Sequence, residues 1–106
     1  MSARLPAGIA VSALLRRVND AGGLAVVRAR GDPDAGGVLV LIDGAEARAV
    51  ERGPGADGRT ALVESARGDS LEEYWRRRRA RDPDLWVVEL NVPAAERFVV
   101  ETLLAD

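Results

Sequence analysis

Two stretches of this chain open with the same acidic turn and continue into a nearly unbroken apolar run. The first, "GDPDAGGVLVLI", spans residues 31–42, and the second, "RDPDLWVVEL", spans residues 81–90. Aspartate and proline favour turns, because the aspartate side chain bonds nearby backbone and proline fixes its own φ. Short apolar runs of this kind are typical of strands covered on both faces. The repeat therefore predicts two buried strands, each launched from a similar turn.

The remaining pattern predicts two helices. Pro6 suits a first helical turn and Gly22 with Gly23 ends the segment, so the first helix is expected over residues 6–21. Ser70 and Glu73 have the spacing of a capping box that starts a second, basic helix over residues 71–81. Strands are predicted at residues 24–30, 38–42, 46–52, 59–65 and 85–90.

The C-terminal stretch, "NVPAAERFVVETLLAD", is ambiguous between two structures. Pro93 can start a terminal helix, or the chain can turn and form a short strand at residues 97–100, followed by a helical turn. We favour the strand because Phe98, Val99 and Val100 have high β-propensity. The whole chain, residues 1–106, is thus predicted to be one α+β domain: an antiparallel meander of about five strands with two helices.

The residue types that are missing limit the chemistry. The 106 residues include no Cys, no His and no Lys, and all fifteen basic residues are Arg. Thiolate nucleophiles, Cys-based zinc sites, histidine general bases and lysine Schiff bases are therefore excluded. This favours a non-enzymatic role, with no catalytic residue, metal or cofactor assigned.

The two Asp-Pro-Asp turns have two interpretations. Paired carboxylates can share a hard cation, and they are also ordinary turn residues, which we favour. If the fifth strand pairs antiparallel with the first, strands two and five flank strand one and both turns reach the same edge of the sheet. A structural ion-pair cluster is then expected, comprising Asp32, Asp34, Asp82, Asp84, Arg28 and Arg30. A fifth strand parallel to the first would separate the turns.

The basic helix also has two interpretations. Arg76, Arg77, Arg79 and Arg81 are candidates for binding anions or nucleic acid. However, Glu72 and Glu73 lie four residues before Arg76 and Arg77, which favours ion pairs within the helix. The helical spacing also places Tyr74 and Trp75 toward the core, and the net charge of −2 indicates no general affinity for nucleic acid. Nucleic-acid binding is therefore the less favoured interpretation.

Glu89 stands out because it interrupts an apolar strand. A buried carboxylate needs a partner, so Glu89 is expected to pair with an arginine or to reach solvent. The alternative is an acid with a raised pKa.

The sequence resembles a known family. "RLPAGIAVSALLRRVNDAGGLAVVRARGDPDAGGVLV", the aromatic and arginine-rich helix, and "RDPDLWVVEL" together resemble domain-of-unknown-function family 1491, a group of small bacterial proteins. The resemblance covers residues 4–90. It implies the same fold and a cytosolic bacterial origin, and no activity, cofactor or site residue.

These observations favour a cytoplasmic, non-catalytic interaction or accessory domain with an unknown protein partner, and a homodimer is one option. The half-exposed third strand is the expected pairing edge. Anion or nucleic-acid binding through the basic helix is one alternative, and a carboxylate-based metal-dependent hydrolase is another. No membrane association is expected, because the apolar run near the N-terminus is shorter than the roughly 20 residues of a membrane span.

Overall fold

The computed structural model describes residues 5–104, which form helices on both faces of a five-stranded sheet. The elements are α1 (Ala7–Asp20), β1 (Leu24–Ala29), β2 (Val38–Ile42), β3 (Arg48–Pro54), β4 (Thr60–Arg67), α2 (Leu71–Arg81), β5 (Trp86–Asn91), α3 (Ala95–Val99) and a π-helix (Val100–Leu104). The α+β class is confirmed.

Both predicted helices are present, and their ends follow the local sequence. α1 ends just before Gly22, which adopts a positive φ of 86°. α2 begins at Leu71, as predicted, and ends before Asp82, which precedes a proline. The predicted capping box is absent, since the Ser70 side chain makes no hydrogen bond to the helix.

The strand order corrects the predicted meander. The order is β1-β5-β2-β3-β4, with β5 antiparallel to β1 and parallel to β2. The pairs β2–β3 and β3–β4 are antiparallel, as predicted. The sheet is mixed because β5 inserts between β1 and β2, and residues 30–37 are long enough to pass the inserted strand. The crossover through β3, β4 and α2 returns the chain parallel to β2.

The core lies on both faces of the sheet. On the face covered by α1, Leu14 belongs to one cluster with Val88 and Leu90. On the face covered by α2, Trp75 belongs to a second cluster with Val87. Alternate side chains of β5 are therefore buried on opposite faces, which explains the apolar run of this strand.

The C-terminal stretch is helical, so the short strand predicted at residues 97–100 is wrong. Ala95, Val99 and Leu103 recur every fourth residue and are all buried in the cluster that contains α1. That spacing buries one face of a helix. The burial of this face outweighs the β-propensity of Phe98 and its neighbours, because such propensity depends on context.

Candidate functional site

The two Asp-Pro-Asp turns meet at one end of the sheet through their backbones. Asp32 N donates a hydrogen bond of 3.0 Å to the carbonyl of Asp84, and Trp86 Nε1 donates one of 2.7 Å to the carbonyl of Asp32. Gly31 and Gly36 allow this approach, because a Cβ at either position would collide with the Asp84 carbonyl oxygen. The predicted shared edge is confirmed, although β5 lies between β1 and β2 and β1 is not flanked by them.

The carboxylates of the turns bind their own backbone. Asp32 Oδ1 accepts hydrogen bonds from Asp34 N at 2.7 Å and Ala35 N at 3.0 Å. These two bonds hold the pKa of Asp32 below its usual value, and the bond from Ala35 N has the larger effect. Asp82 Oδ1 likewise accepts from Asp84 N at 3.2 Å. Within residues 5–104, no group of three or more acidic side chains is placed to hold a metal ion.

The arginines predicted to join these aspartates have other partners. Arg28 donates to Glu89 at 2.6 Å and to Glu72 at 2.9 Å. Arg30 lies over the ring of Trp86, 5.5 Å from its centroid. Among residues 5–104, no ion pair joins either arginine to the four turn acids, which are Asp32, Asp34, Asp82 and Asp84. The side chain of Arg28 instead extends along the α2 face of the sheet. The carboxylates of Asp32 and Asp82 bind the backbone of their own turns.

Glu89 has the arginine partner that the sequence predicts, and it also has an acidic neighbour. A cavity of about 210 Å³ lies beside α2, and its lining includes Arg28, Glu72, Asp43, Trp75 and Glu89. Burial raises the pKa of Asp43 to about 6, and the adjacent Glu89 carboxylate adds to this effect. Sequence reasoning missed Asp43 because the Asp-Gly pair that contains it suggests only a tight turn.

Two of the four candidate anion-binding arginines pair within α2. Arg76 lies 3.1 Å from Glu72, and Arg77 lies 3.2 Å from Glu73, both with i,i+4 spacing. These are the pairs that the sequence predicts. All four side chains are more than half exposed, so each pair contributes only about 0.3–0.5 kcal/mol.

The other two arginines lie at the end of α2. Arg79 donates to the carbonyl oxygens of Pro83 and Leu85, the latter at 3.3 Å, and so links α2 to the turn before β5. Arg81 makes no ion pair or side-chain hydrogen bond with the residues described. Three of the four candidates therefore already have partners.

The aromatic residues of α2 are not available to stack on a nucleotide base. Trp75 is only 6% exposed and belongs to the core. The hydroxyl of Tyr74 accepts a hydrogen bond from Arg78, which also binds both oxygens of Glu51 at 2.7 and 2.9 Å. Burial alone would raise the pKa of Glu51, but the hydrogen bonds from Arg78 and Ser65 hold it below its usual value.

The edge strands of the sheet are β1 and β4, and the predicted third strand is interior. β3 spans Arg48–Pro54 between β2 and β4, so it presents no free edge. On β1, Leu24 is 67% exposed and Val26 is 51% exposed. Their i,i+2 spacing places both side chains on one face of the sheet. In the sequence, the uncharged segment "LAVV" at residues 24–27 is the feature that could have indicated this unprotected edge.

These features define a small α+β protein whose mixed five-stranded sheet has helices on both faces. The family model for a protein of unknown function (DUF1491) matches residues 5–100, and the chain belongs to that family. The family model therefore extends ten residues beyond residues 4–90, the part of the sequence in which the resemblance was recognised. No curated protein matches the chain, and no helix in residues 5–104 is long and apolar enough to cross a membrane.

Three solved structures are similar to this chain. A crystal structure of a DUF1491 family protein from Caulobacter crescentus CB15 shares 34% sequence identity with this chain and has a TM-score of 0.75. The alignment covers 89% of this chain and 94% of the Caulobacter chain. An NMR structure of a DUF1491 family protein from the same organism shares 32% identity over 92% and 94% of the two chains, with a TM-score of 0.75. The solution structure of protein Atu0922 from A. tumefaciens shares 28% identity over 98% of both chains, with a TM-score of 0.72.

Proposed function

We propose that this protein is a non-catalytic interaction domain that pairs with a second copy of itself through the edge of β1. The observation that carries the proposal is the exposure of Leu24 and Val26, at 67% and 51%, side by side on an edge strand. An exposed apolar edge strand is a template for pairing with another strand. The second copy would cover both side chains and satisfy the outward backbone groups of β1.

The two edges of the sheet differ in how they are protected. Edge strands are usually protected by charged side chains or proline, and residues 24–27 of β1 have neither. The opposite edge, β4, carries Glu64 and Arg67, which lie 2.6 Å apart, and Arg67 also binds Glu46 at 2.6 Å. The edge of β1 is therefore the one that favours strand addition.

β1 is complementary to itself in one antiparallel register. With Ala25 opposite the partner's Ala25, Leu24 lies opposite the partner's Val26, and the four exposed side chains form one apolar patch. Arg28 then lies opposite the partner's Gly22, so like charges do not face each other. A two-fold interface of this kind presents the same surface from both copies. This self-complementarity favours a second copy over an unrelated partner.

The environment of the charged groups supports a non-catalytic role. Arg28, Glu72 and Glu89 form one ion-pair network, and the turn carboxylates Asp32 and Asp82 accept backbone hydrogen bonds. Groups held in this way stabilise the fold and are poorly placed to act as nucleophiles or bases.

Analytical ultracentrifugation of the full chain tests the proposal. The wild-type protein is expected to dimerise at concentrations of about 10–100 µM, and Leu24→Arg is expected to be a folded monomer. Ile9→Arg is the matched control, because Ile9 is an exposed apolar residue of similar accessibility, 56%, that belongs to α1 and not to β1. It should dimerise like the wild type. A monomeric wild type at about 1 mM, or a Leu24→Arg dimer of unchanged affinity, would overturn the proposal.

Two alternatives stay predictions. Anion or nucleic-acid binding through Arg76, Arg77, Arg79 and Arg81 requires an affinity that falls steeply with salt and falls again in an Arg77→Ala/Arg81→Ala variant. Metal-dependent hydrolysis at the aspartate turns requires thermal stabilisation of the protein by Mg²⁺, Ca²⁺ or Mn²⁺.

A further inference from the structure

A second cavity lies on the other face of the sheet, between α1 and the π-helix. Its volume is about 230 Å³, slightly below the usual range for small-molecule sites. Ala7 and Ala10 of α1, Val38 of β2 and Leu103 of the π-helix provide apolar walls. The small alanine side chains keep the space open, because a larger side chain at either position would extend into it.

Arg52 supplies a fixed positive charge on the wall of this cavity. Its Nη1 donates a hydrogen bond of 2.8 Å to the carbonyl of Leu103, which holds the guanidinium in place. Among residues 5–104, no carboxylate lies within ion-pair distance of Arg52. Glu51, which also lines the cavity, is already bound by Arg78 through both carboxylate oxygens. Asp34, a third charged lining residue, is exposed at the rim.

Thr102 adds a polar group on the same wall. The residue is only 8% exposed, and its hydroxyl has no hydrogen-bond partner among the residues described. A buried hydroxyl without a partner is unfavourable. The oxygen is covered in this conformation, and a change of the χ1 rotamer, of which threonine has more than one in a helix, would let it meet a polar ligand in the adjoining cavity. Thr102 belongs to the π-helix, a conformation that occurs frequently at functional sites.

We propose that this cavity binds a small organic carboxylate with a short apolar body. The guanidinium of Arg52 binds the carboxylate, and the alkyl body packs on Ala7, Ala10 and Leu103. The Thr102 hydroxyl makes a second hydrogen bond once its χ1 rotamer turns toward the ligand. A charge-assisted hydrogen bond from arginine to a carboxylate gives the strongest single contact. The site is separate from the β1 edge, so it does not depend on self-association.

NMR titration of the full ¹⁵N-labelled chain with butyrate, and with butyramide as the neutral analogue of the same shape, tests the site. Butyrate is expected to shift the amide resonances of Ala7, Ala10, Arg52 and Thr102 with saturation at millimolar concentrations, whereas butyramide binds at least about tenfold more weakly. No saturating shifts with butyrate up to about 50 mM, or equal binding of butyramide, would overturn the proposal.

Three variants locate the binding. Arg52→Gln can retain the hydrogen bond to Leu103 but lacks the charge, and it should weaken butyrate binding about tenfold. Ala10→Leu should abolish binding by filling the cavity. Arg59→Gln, in the loop between β3 and β4, is the charge-matched control and should bind like the wild type. If Arg52→Gln and Arg59→Gln weaken binding equally, the effect is general electrostatic attraction and the proposed site is wrong.

Discussion

Arg28 of β1 and Glu89 of β5 form a salt bridge of 2.6 Å across the two paired strands, and each side chain is 28% exposed. Glu89 is opposite Val26 in the register of these strands, two residues from Arg28. The same guanidinium binds Glu72 and lies over the ring of Trp75, 5.3 Å from its centroid. Arg28 thus links the edge of the sheet to α2.

Replacing Arg28 with alanine is expected to lower the free energy of unfolding by about 1–3 kcal/mol. The substitution leaves Glu89 beside Asp43 without a positive partner and removes contacts with Glu72 and Trp75. Urea unfolding, followed by circular dichroism, measures the change.

Arg76→Ala is the control for this prediction. Arg76 also binds Glu72 and also lies over Trp75, at 4.8 Å, but its side chain is 65% exposed. Its removal should change the unfolding free energy by less than about 0.5 kcal/mol. Equal losses in the two variants would show that the Arg28–Glu89 contact adds nothing to stability.

Asp43→Asn is expected to stabilise the protein above pH 7 and to have no effect below pH 4. Burial, followed by the Glu89 carboxylate, raises the pKa of Asp43 from 3.8 to about 6 in the folded state. The folded state therefore binds the proton more tightly than the unfolded state, and the stability that Asp43 contributes is lost as pH rises through this range. At pH 7.5 the variant should gain about 1 kcal/mol in free energy of unfolding. This is less than the full pKa shift implies, because solvent screens part of the interaction.

The measurement is the difference in thermal unfolding between variant and wild type from pH 4 to pH 8. The pH profile of the wild type alone does not suffice, because Glu51 has a lowered pKa and changes stability in the opposite direction. Asp57→Asn, in the exposed loop after β3, makes the same change of carboxylate to amide and is the control for the substitution itself. A difference for Asp43→Asn that stays constant from pH 4 to pH 8, or that matches the difference for Asp57→Asn, would refute the prediction.

The sequence predicted most local elements but missed the position of β5. Apolar runs identify β2 and β5 as buried strands, since their side chains must be covered on both faces. Which strands they pair with depends on contacts between distant residues, and the local pattern does not contain that information. Burial of β5 on both faces was consistent with an interior position, yet the chain order of β1 and β2 suggested that those strands are neighbours.

The candidate site was predictable only in part. The apolar surroundings of Glu89 indicated that an arginine would bind it, and Arg28 does. The turn interpretation of Asp32 and Asp82 was correct, because both carboxylates accept hydrogen bonds from backbone two residues ahead. The binding of Arg28 to Glu72 and Glu89 depends on packing between distant residues, which the local pattern does not contain. The exposure of Leu24 follows from the edge position of β1, which required the strand order.

Gly36→Ala is expected to be strongly destabilising, because the two Asp-Pro-Asp turns contact each other at this glycine. A Cβ at position 36 would lie inside the van der Waals distance of the Asp84 carbonyl oxygen, and it would also approach the backbone of Asp32. Both obstacles are backbone atoms, so the turns must separate, and the loss in unfolding free energy should be about 2 kcal/mol or more.

Gly44→Ala is the matched control, because a Cβ at that position has no atom within 4 Å. Its unfolding free energy should stay within about 0.5 kcal/mol of the wild type. Hydrogen exchange gives a second, local measurement for Gly36→Ala: the amide of Asp32, which donates to the Asp84 carbonyl, should exchange faster while amides at the centre of β3 change less. If Gly36→Ala were as stable as Gly44→Ala, with the Asp32 amide still protected, the contact between the turns would not hold this end of the sheet together.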